Sequence, residues 1–178
     1  MPKKSEEAVF PEEKSLSCTN TWCKTHVRRS RKIAISACLL GENCRYDGAT
    51  KTNSDVLEAF KEDKIIPFCP EAPVLGTPRE RISVIFKNKQ YTLVGDESRN
   101  DYTQAIVEQV DLLIQKHPDL DMIVLKSKSP SCGLGTTPIL SEKRDILVFD
   151  DGIAAQRLKE KYPNTQIIDE LNIKEMKC

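Results

Sequence analysis

Seven cysteines occur in this chain, and three of them share a setting. Cys38 closes the apolar run Ile33-Ala34-Ile35-Ser36-Ala37, and Cys69 closes Ile65-Ile66-Pro67-Phe68. Cys132 lies in the Ser/Pro/Gly-rich loop that follows Met122-Ile123-Val124-Leu125. Reducing compartments rarely keep structural disulfides, and the count is odd, so metal binding or catalysis is the chemistry to look for. Three thiolates suit a soft metal, either zinc or an iron–sulfur cluster. Structural zinc takes four protein ligands, and the only histidines, His26 and His117, lie away from these loops. A four-iron cluster on three cysteines would leave one iron open to a substrate. The competing reading is three thiols packed as small hydrophobes, which suits the apolar flanks but not the Gly, Pro and Ser loops.

The elements that carry these residues can be read from periodicity. The run ending at Cys38, the run ending at Cys69 and Met122–Leu125 read as buried strands. Asn53 or Ser54 can cap a helix running to about Lys61, with Val56, Leu57 and Phe60 inward. Arg81–Lys87 and Gln90–Val94, joined by Asn88-Lys89, read as a β-hairpin insertion. Asp101–Lys116 carries the helical stripe Ile106, Val110, Leu113 and Ile114. Ser127–Pro138 reads as a loop, Ile146–Phe149 as a strand, Ile153–Lys161 as a helix and Gln166–Ile168 as a last strand. Solid apolar strands alternating with helices imply an α/β, three-layer domain with a mostly parallel, Rossmann-like sheet. In such a sheet the carboxyl ends of the strands form one edge where ligands bind. Cys38, Cys69 and Cys132 all fall at that edge.

Residues 1–31 form a polar arm, and residues 32–178 the α/β domain. The 178 residues contain 39% hydrophobic and 30% charged side chains, a globular composition with no membrane-spanning run. The opening residues carry no secretory or transit signal, and the expected location is cytoplasmic. Lys+Arg and Asp+Glu balance at 27 each, so total charge predicts no nucleic-acid partner. The stretch from Lys24 to Lys32 is nonetheless basic and free of acids, either a solvated linker or a phosphate-contacting arm. Cys18, Cys23 and His26 have a spacing compatible with a small metal knuckle, and Trp22 beside them offers a stacking surface. Cys44 is a loop thiol near the expected crevice and a candidate fourth ligand. Cys178 is a terminal thiol.

Ser36-Ala37-Cys38-Leu39-Leu40-Gly41, Cys44-Arg45-Tyr46-Asp47-Gly48, Phe68-Cys69-Pro70-Glu71, Gly76-Thr77-Pro78-Arg79 and Lys126-Ser127-Lys128-Ser129-Pro130-Ser131-Cys132-Gly133 occur in that order. Together they resemble the DUF523 family, which includes thiouracil desulfidases, over roughly Lys32 to Asp150. The resemblance implies a [4Fe-4S] cluster held by Cys38, Cys69 and Cys132. It also implies replacement of a thiouracil's thiocarbonyl sulfur by oxygen without net redox. The substrate expected from it is a small thiolated pyrimidine, at ring position 2 or 4, with RNA allowed but not required. Ala72-Pro73-Val74-Leu75 departs from the glycine-richer family pattern.

That chemistry needs a base to deprotonate water. Glu71, two residues after a ligand, is the first candidate, against a role in capping a turn. Asp47 is the second, although Tyr-Asp-Gly is ordinary turn chemistry. Ser127 is a further catalytic candidate. Ser129 and Ser131 are candidates for binding the pyrimidine edge, unless these serines only satisfy the loop's backbone. Arg79, with Arg45 and Lys51, could compensate a cluster's charge or bind an anion. The rival class is a non-enzymatic metal-binding or RNA-binding module using residues 24–32. A thiol redox protein would need a close cysteine pair, and no C-x-x-C occurs.

Overall fold

Residues 29–173 are described in the computed structural model. Residues 1–28, with Cys18, Trp22, Cys23 and His26, and residues 174–178 with Cys178 lie outside them. Of the basic stretch 24–32, Arg31 forks onto Asp63 and Lys32 pairs with Asp119, so both are tied to the domain.

Four strands make a fully parallel sheet: β1 (Lys32–Ser36), β2 (Lys64–Phe68), β5 (Met122–Leu125) and β8 (Gln166–Asp169), in the order β2-β1-β5-β8. Ile33 of β1 faces Ile65 of β2 and Met122 of β5. Because alternate residues face opposite sides, these strands feed two cores. Ile33, Ile35, Met122 and Val124 pack with Val56 and Phe60 near the short helix α1 (Ser54–Ala59). Ala34, Ile123 and Leu125 pack with α3 (Thr103–Lys116) and α4 (Ile153–Lys161) through Ile106, Val110, Ala154 and Leu158. A sheet buried on both faces explains why its strands read as continuous apolar runs.

Local capping follows the sequence. Asn53 Oδ1 accepts the backbone N–H groups of Asp55 and Val56 at 3.0 and 3.1 Å, which starts α1. Asp101 accepts the Thr103 N–H at 2.8 Å, so α3 starts two residues after the expected position. Asn88 and Lys89 both adopt positive φ (50° and 64°), as a two-residue turn between β3 (Ile82–Lys87) and β4 (Gln90–Gly95) requires.

The hairpin is half of a second sheet, ordered β4-β3-β6-β7. β6 (Thr137–Leu140) pairs parallel to β3 and antiparallel to β7 (Ile146–Asp150). β6 lies where a loop was expected as far as Pro138; its proline and flanking glycine hid a strand whose Thr137 and Ile139 are fully buried. β7 is an edge strand, and Ile146, Leu147, Val148 and Phe149 are 48–59% exposed. Their uniform apolarity is indistinguishable in sequence from that of a buried strand. Among the described residues, no helix is long and apolar enough to cross a membrane.

Candidate active site

The parallel sheet changes direction of winding between β1 and β5: the chain leaves β1 toward β2 on one side, and β5 lies on the other. Loops leaving the two strands therefore part and open a crevice at their carboxyl ends. A cavity of about 180 Å³ occupies it, lined by residues that include Cys38, Cys44, Cys69, Glu71, Arg79, Lys126, Ser129 and Cys132.

Each cysteine is placed by a different device. Directly after β1 the chain tightens into a 3-10 turn, Ala37–Leu40, which ends at Gly41 with φ 99°. Cys38 thus sits on the turn beyond the strand, and its carbonyl accepts the Lys51 N–H at 2.9 Å. Cys69 follows β2 directly, and the Ala72 N–H points at its Sγ at 3.4 Å. That N–H belongs to α2 (Ala72–Leu75), the single helical turn formed by the segment that departs from the family pattern. Cys132 lies in the loop after β5, where its backbone N–H donates to Ser129 Oγ at 3.1 Å. Cys69 Sγ donates to the Cys44 carbonyl at 3.8 Å, and Cys44 lines the cavity with the other three, so four thiols face one space.

All four cysteines are free, and the surroundings of Cys44, Cys69 and Cys132 favour neutral thiols. Hydrogen bonding with Cys38 pushes the Cys44 thiol up to about 11. The Cys44 contact and burial push Cys69 up, and burial pushes up Cys132. A metal group binding here must release those protons. Among the described residues, no three or more His, Cys, Asp or Glu side chains are gathered for a single metal ion. The donor set is nevertheless soft sulfur on one open cavity with no imidazole, which fits iron–sulfur ligation.

Beside the thiols runs a chain of polar contacts. Ser129 Oγ donates to Glu71 Oε1 at 3.3 Å, and Arg79 donates to Glu71 Oε2 at 2.7 Å. Arg79 also donates to the carbonyls of Cys44 and Gly76 at 3.0 and 3.1 Å. The Arg79 and Glu71 side chains are only 3% and 12% exposed, a buried pair. Ser129 Oγ accepts from the backbone N–H groups of Ser131 and Cys132, which fixes its lone pairs and leaves its proton for Glu71.

Other candidates are placed differently. Asp47 does not line the cavity: it forks with Arg45 and accepts the Ala49 N–H. Those contacts, Arg45 first, hold its carboxyl down at about 2. Lys51 lies outside the lining as well. Ser131 is fully buried beneath α4, its carbonyl accepting the Ala155 N–H at 3.0 Å, and its hydroxyl does not line the cavity. Ser127 lines it, but its hydroxyl is donated to Glu170 at 2.8 Å. His117 caps the carboxyl end of α3.

Two contributors carry no sequence signal. Glu170, just past β8, accepts the Ser127 N–H at 2.6 Å and pairs with Lys126 Nζ at 2.9 Å. Burial raises its carboxyl, but these bonds outweigh that and leave it below the ordinary glutamate range. Gly152 precedes α4, where Gly152, Ile153 and Ala155 donate their N–H groups to the carbonyls of Gly133, Pro130 and Ser131. The otherwise unpaired N–H groups of a helix start thereby hold the cysteine loop.

Comparison with known proteins gives the family. The profile of the 2-thiouracil desulfurase family matches residues 33–170. The uncharacterized protein YbbK of Bacillus subtilis (strain 168) is 33% identical over 113 residues, covering 58% of this chain and 74% of YbbK. Among solved structures, the [4Fe-4S]-dependent thiouracil desulfidase TudS superposes with a TM-score of 0.61 at 30% identity, covering 83% of this chain and 96% of that one. A family profile spanning both sheets and every cavity cysteine leaves one assignment: the chain belongs to the 2-thiouracil desulfurase family.

Proposed function

We propose that this protein is a [4Fe-4S]-dependent desulfidase. It replaces the thiocarbonyl sulfur of thiouracil, or of a closely related thiolated pyrimidine, with oxygen and releases hydrogen sulfide without net redox. The observation that carries the reading is the placement of Cys38, Cys69 and Cys132 on one cavity with the Ser129–Glu71 contact in its wall. Those three cysteines would hold the cluster. Bound there, a cluster with an open iron supplies a soft Lewis acid for a thione sulfur and polarises C=S.

The rest of the chemistry belongs to the chain. Water must lose a proton as its oxygen adds to the ring carbon, and Glu71 is the base in position. Ser129 donates to Glu71 Oε1 while its own lone pairs accept the Ser131 and Cys132 N–H groups, so it would position the carboxylate to take the water's proton directly. Arg79 holds the other carboxylate oxygen, so Glu71 cannot turn away from Ser129. The proton on Glu71 is then available to the departing sulfur. The balance is one C=S and one water in, one C=O and one hydrogen sulfide out. Asp47 is less suited to be the base because it is engaged with Arg45 outside the cavity. Ser127 serves better as an anchor than as a proton carrier because Glu170 takes its hydroxyl.

The test is anaerobic purification, reconstitution with iron and sulfide, and incubation with 2-thiouracil and 4-thiouracil. Loss of the thione absorbance with release of hydrogen sulfide, absent in Cys132→Ala, supports the reading and identifies the preferred isomer. A fully loaded protein that leaves both thiones intact would refute thiouracil as the substrate.

A further inference from the structure

Lys126, Ser127 and Glu170 form a compact network at the cavity wall that the proposed proton path does not use. The Lys126 ammonium donates to the Ser127 carbonyl at 2.7 Å, to Ser127 Oγ at 3.3 Å and pairs with Glu170 Oε1 at 2.9 Å. All three of its N–H donors therefore have partners, so the ammonium is held in one place and offers no free donor. Glu170 is engaged as fully: besides Lys126, it accepts both the N–H and the hydroxyl of Ser127. The Lys126 and Glu170 side chains are 17% and 7% exposed.

The pair has a direction. Lys126 and Ser127 line the cavity, whereas Glu170 does not. The cation is on the cavity side of the wall and the carboxylate behind it, its charge shared among three donors. Coulomb energy falls with distance, so a charge inside the cavity responds more to the near ammonium than to the far carboxylate. The other cations of the lining lack this effect. Arg79 is paired with Glu71, which lines the same cavity and cancels it there. Arg45 is more open to solvent and is paired with Asp47, and Lys128 is exposed, so water and salt screen both.

We infer that Lys126 is the fixed cation of this site, favouring negative charge in the cysteine cavity, and that Glu170 is the positioning residue that holds it there. Three thiolates, and any sulfide released beside them, are the negative charges it would act on. The inference rests on the cluster reading of the cavity and adds to it an electrostatic role for two residues outside the proposed proton path. The carboxylate orients the ammonium through their 2.9 Å contact, and a glutamine amide oxygen in its place could still accept from Lys126.

The test uses the reconstituted protein and reads the reduction potential of its bound cluster as a gauge of local charge, by equilibrium titration under anaerobic conditions. Lys126→Met removes a positive charge and is expected to shift the potential downward. Glu170→Gln removes the opposing negative charge and is expected to shift it upward. Lys126→Arg should stay near the wild-type value, and thermal unfolding and iron content identify any variant that has not folded. If Lys126→Met fails that check, Lys126→Gln replaces it with the same expected sign. Opposite shifts support the inference, because a merely structural disturbance gives no reason for the two signs to differ. Shifts of the same sign, or three unchanged potentials, overturn it and leave the desulfidase reading intact. Failure of the wild-type protein to assemble any cluster overturns both.

Discussion

Ser129 donates its hydroxyl to Glu71 Oε1 at 3.3 Å, joining a residue just after β2 to the loop that follows β5. Cys69 stands two residues before Glu71, and Cys132 three residues after Ser129. One hydrogen bond therefore spans two of the three cysteine-bearing segments, so the Glu71–Ser129 contact and cysteine placement depend on the same backbone. Arg79 extends this coupling to the third segment through the Cys44 carbonyl.

If Glu71 is the base, Glu71→Gln keeps the side-chain shape and removes the proton acceptor. General-base catalysis contributes roughly 10²–10⁴-fold, and kcat should fall by about that factor with iron content unchanged. Ser129→Ala should fall in the same range. Because the two would act as one unit, the double variant should be little worse than either single. Losses that multiply in the double variant would show that the residues act independently. Steady-state kinetics on reconstituted protein decides it.

Gly152 bears on the cysteine loop by close approach. A Cβ at this position would lie 2.5 Å from the Ser131 carbonyl oxygen and 2.7 Å from that of Pro130. Both are backbone atoms, so Gly152→Ala must move the loop or the start of α4. The expected result is reduced iron incorporation and a lowered Tm. Gly135 is the contrast: its φ is +58° and nothing lies within 4 Å of a Cβ there. Asparagine tolerates such a backbone conformation, so Gly135→Asn should incorporate iron like the wild type. Equal iron content in Gly152→Ala and wild type would show that the loop accommodates the methyl group.

Much of this site was legible in sequence because its parts repeat one pattern: an apolar run, a cysteine, then residues that cannot continue a strand. Cys38, Cys69 and Cys132 could be assigned to one sheet edge from that alone. What escaped was set by tertiary contact. Glu170 is a single acid after a short strand, and nothing local distinguishes it from a solvated one. Gly152 reads as an ordinary helix boundary, while its importance comes from the carbonyls of Pro130 and Ser131 beneath it. The second sheet was partly hidden because β6 contains Pro138 and β7 is apolar yet exposed. Ser127 and Ser129 look equivalent in sequence; Glu170 takes the hydroxyl of one and Glu71 that of the other.

Arg79→Met tests the buried ion pair. Removing one partner of such a pair leaves an uncompensated charge and costs about 3–5 kcal/mol. With the arginine 3% and the glutamate 12% exposed, the upper part of that range is expected in denaturant unfolding. The change also strips donors from the Cys44 and Gly76 carbonyls. Glu71→Gln should cost less, since a neutral amide can still accept from the guanidinium. Equal destabilisation by the two variants would mean that the charge on Glu71, and not its acceptor oxygens alone, compensates the buried arginine.

Glu80 supplies a pH-dependent test away from the cavity. Its carboxylate accepts the N–H groups of Glu97 and Ser98 at 2.8 and 2.9 Å and the Tyr102 hydroxyl at 3.2 Å, tying the turn after β4 to the start of α3. Hydrogen bonds from Ser98, side chain first and then backbone, hold the carboxyl down at about 2 against an ordinary value of 4.5. A depressed carboxyl contributes stability that is fully present above the unfolded value and is lost as pH falls through the folded one. The Tm advantage of wild type over Glu80→Gln should therefore hold at pH 6 and shrink as pH falls from about 4.5 toward 2. Asp47 is likewise held near 2 and titrates in the same window, but it is present in both proteins and cancels in the comparison. A difference in Tm that stays constant across that range would show that ionisation of Glu80 does not stabilise this turn.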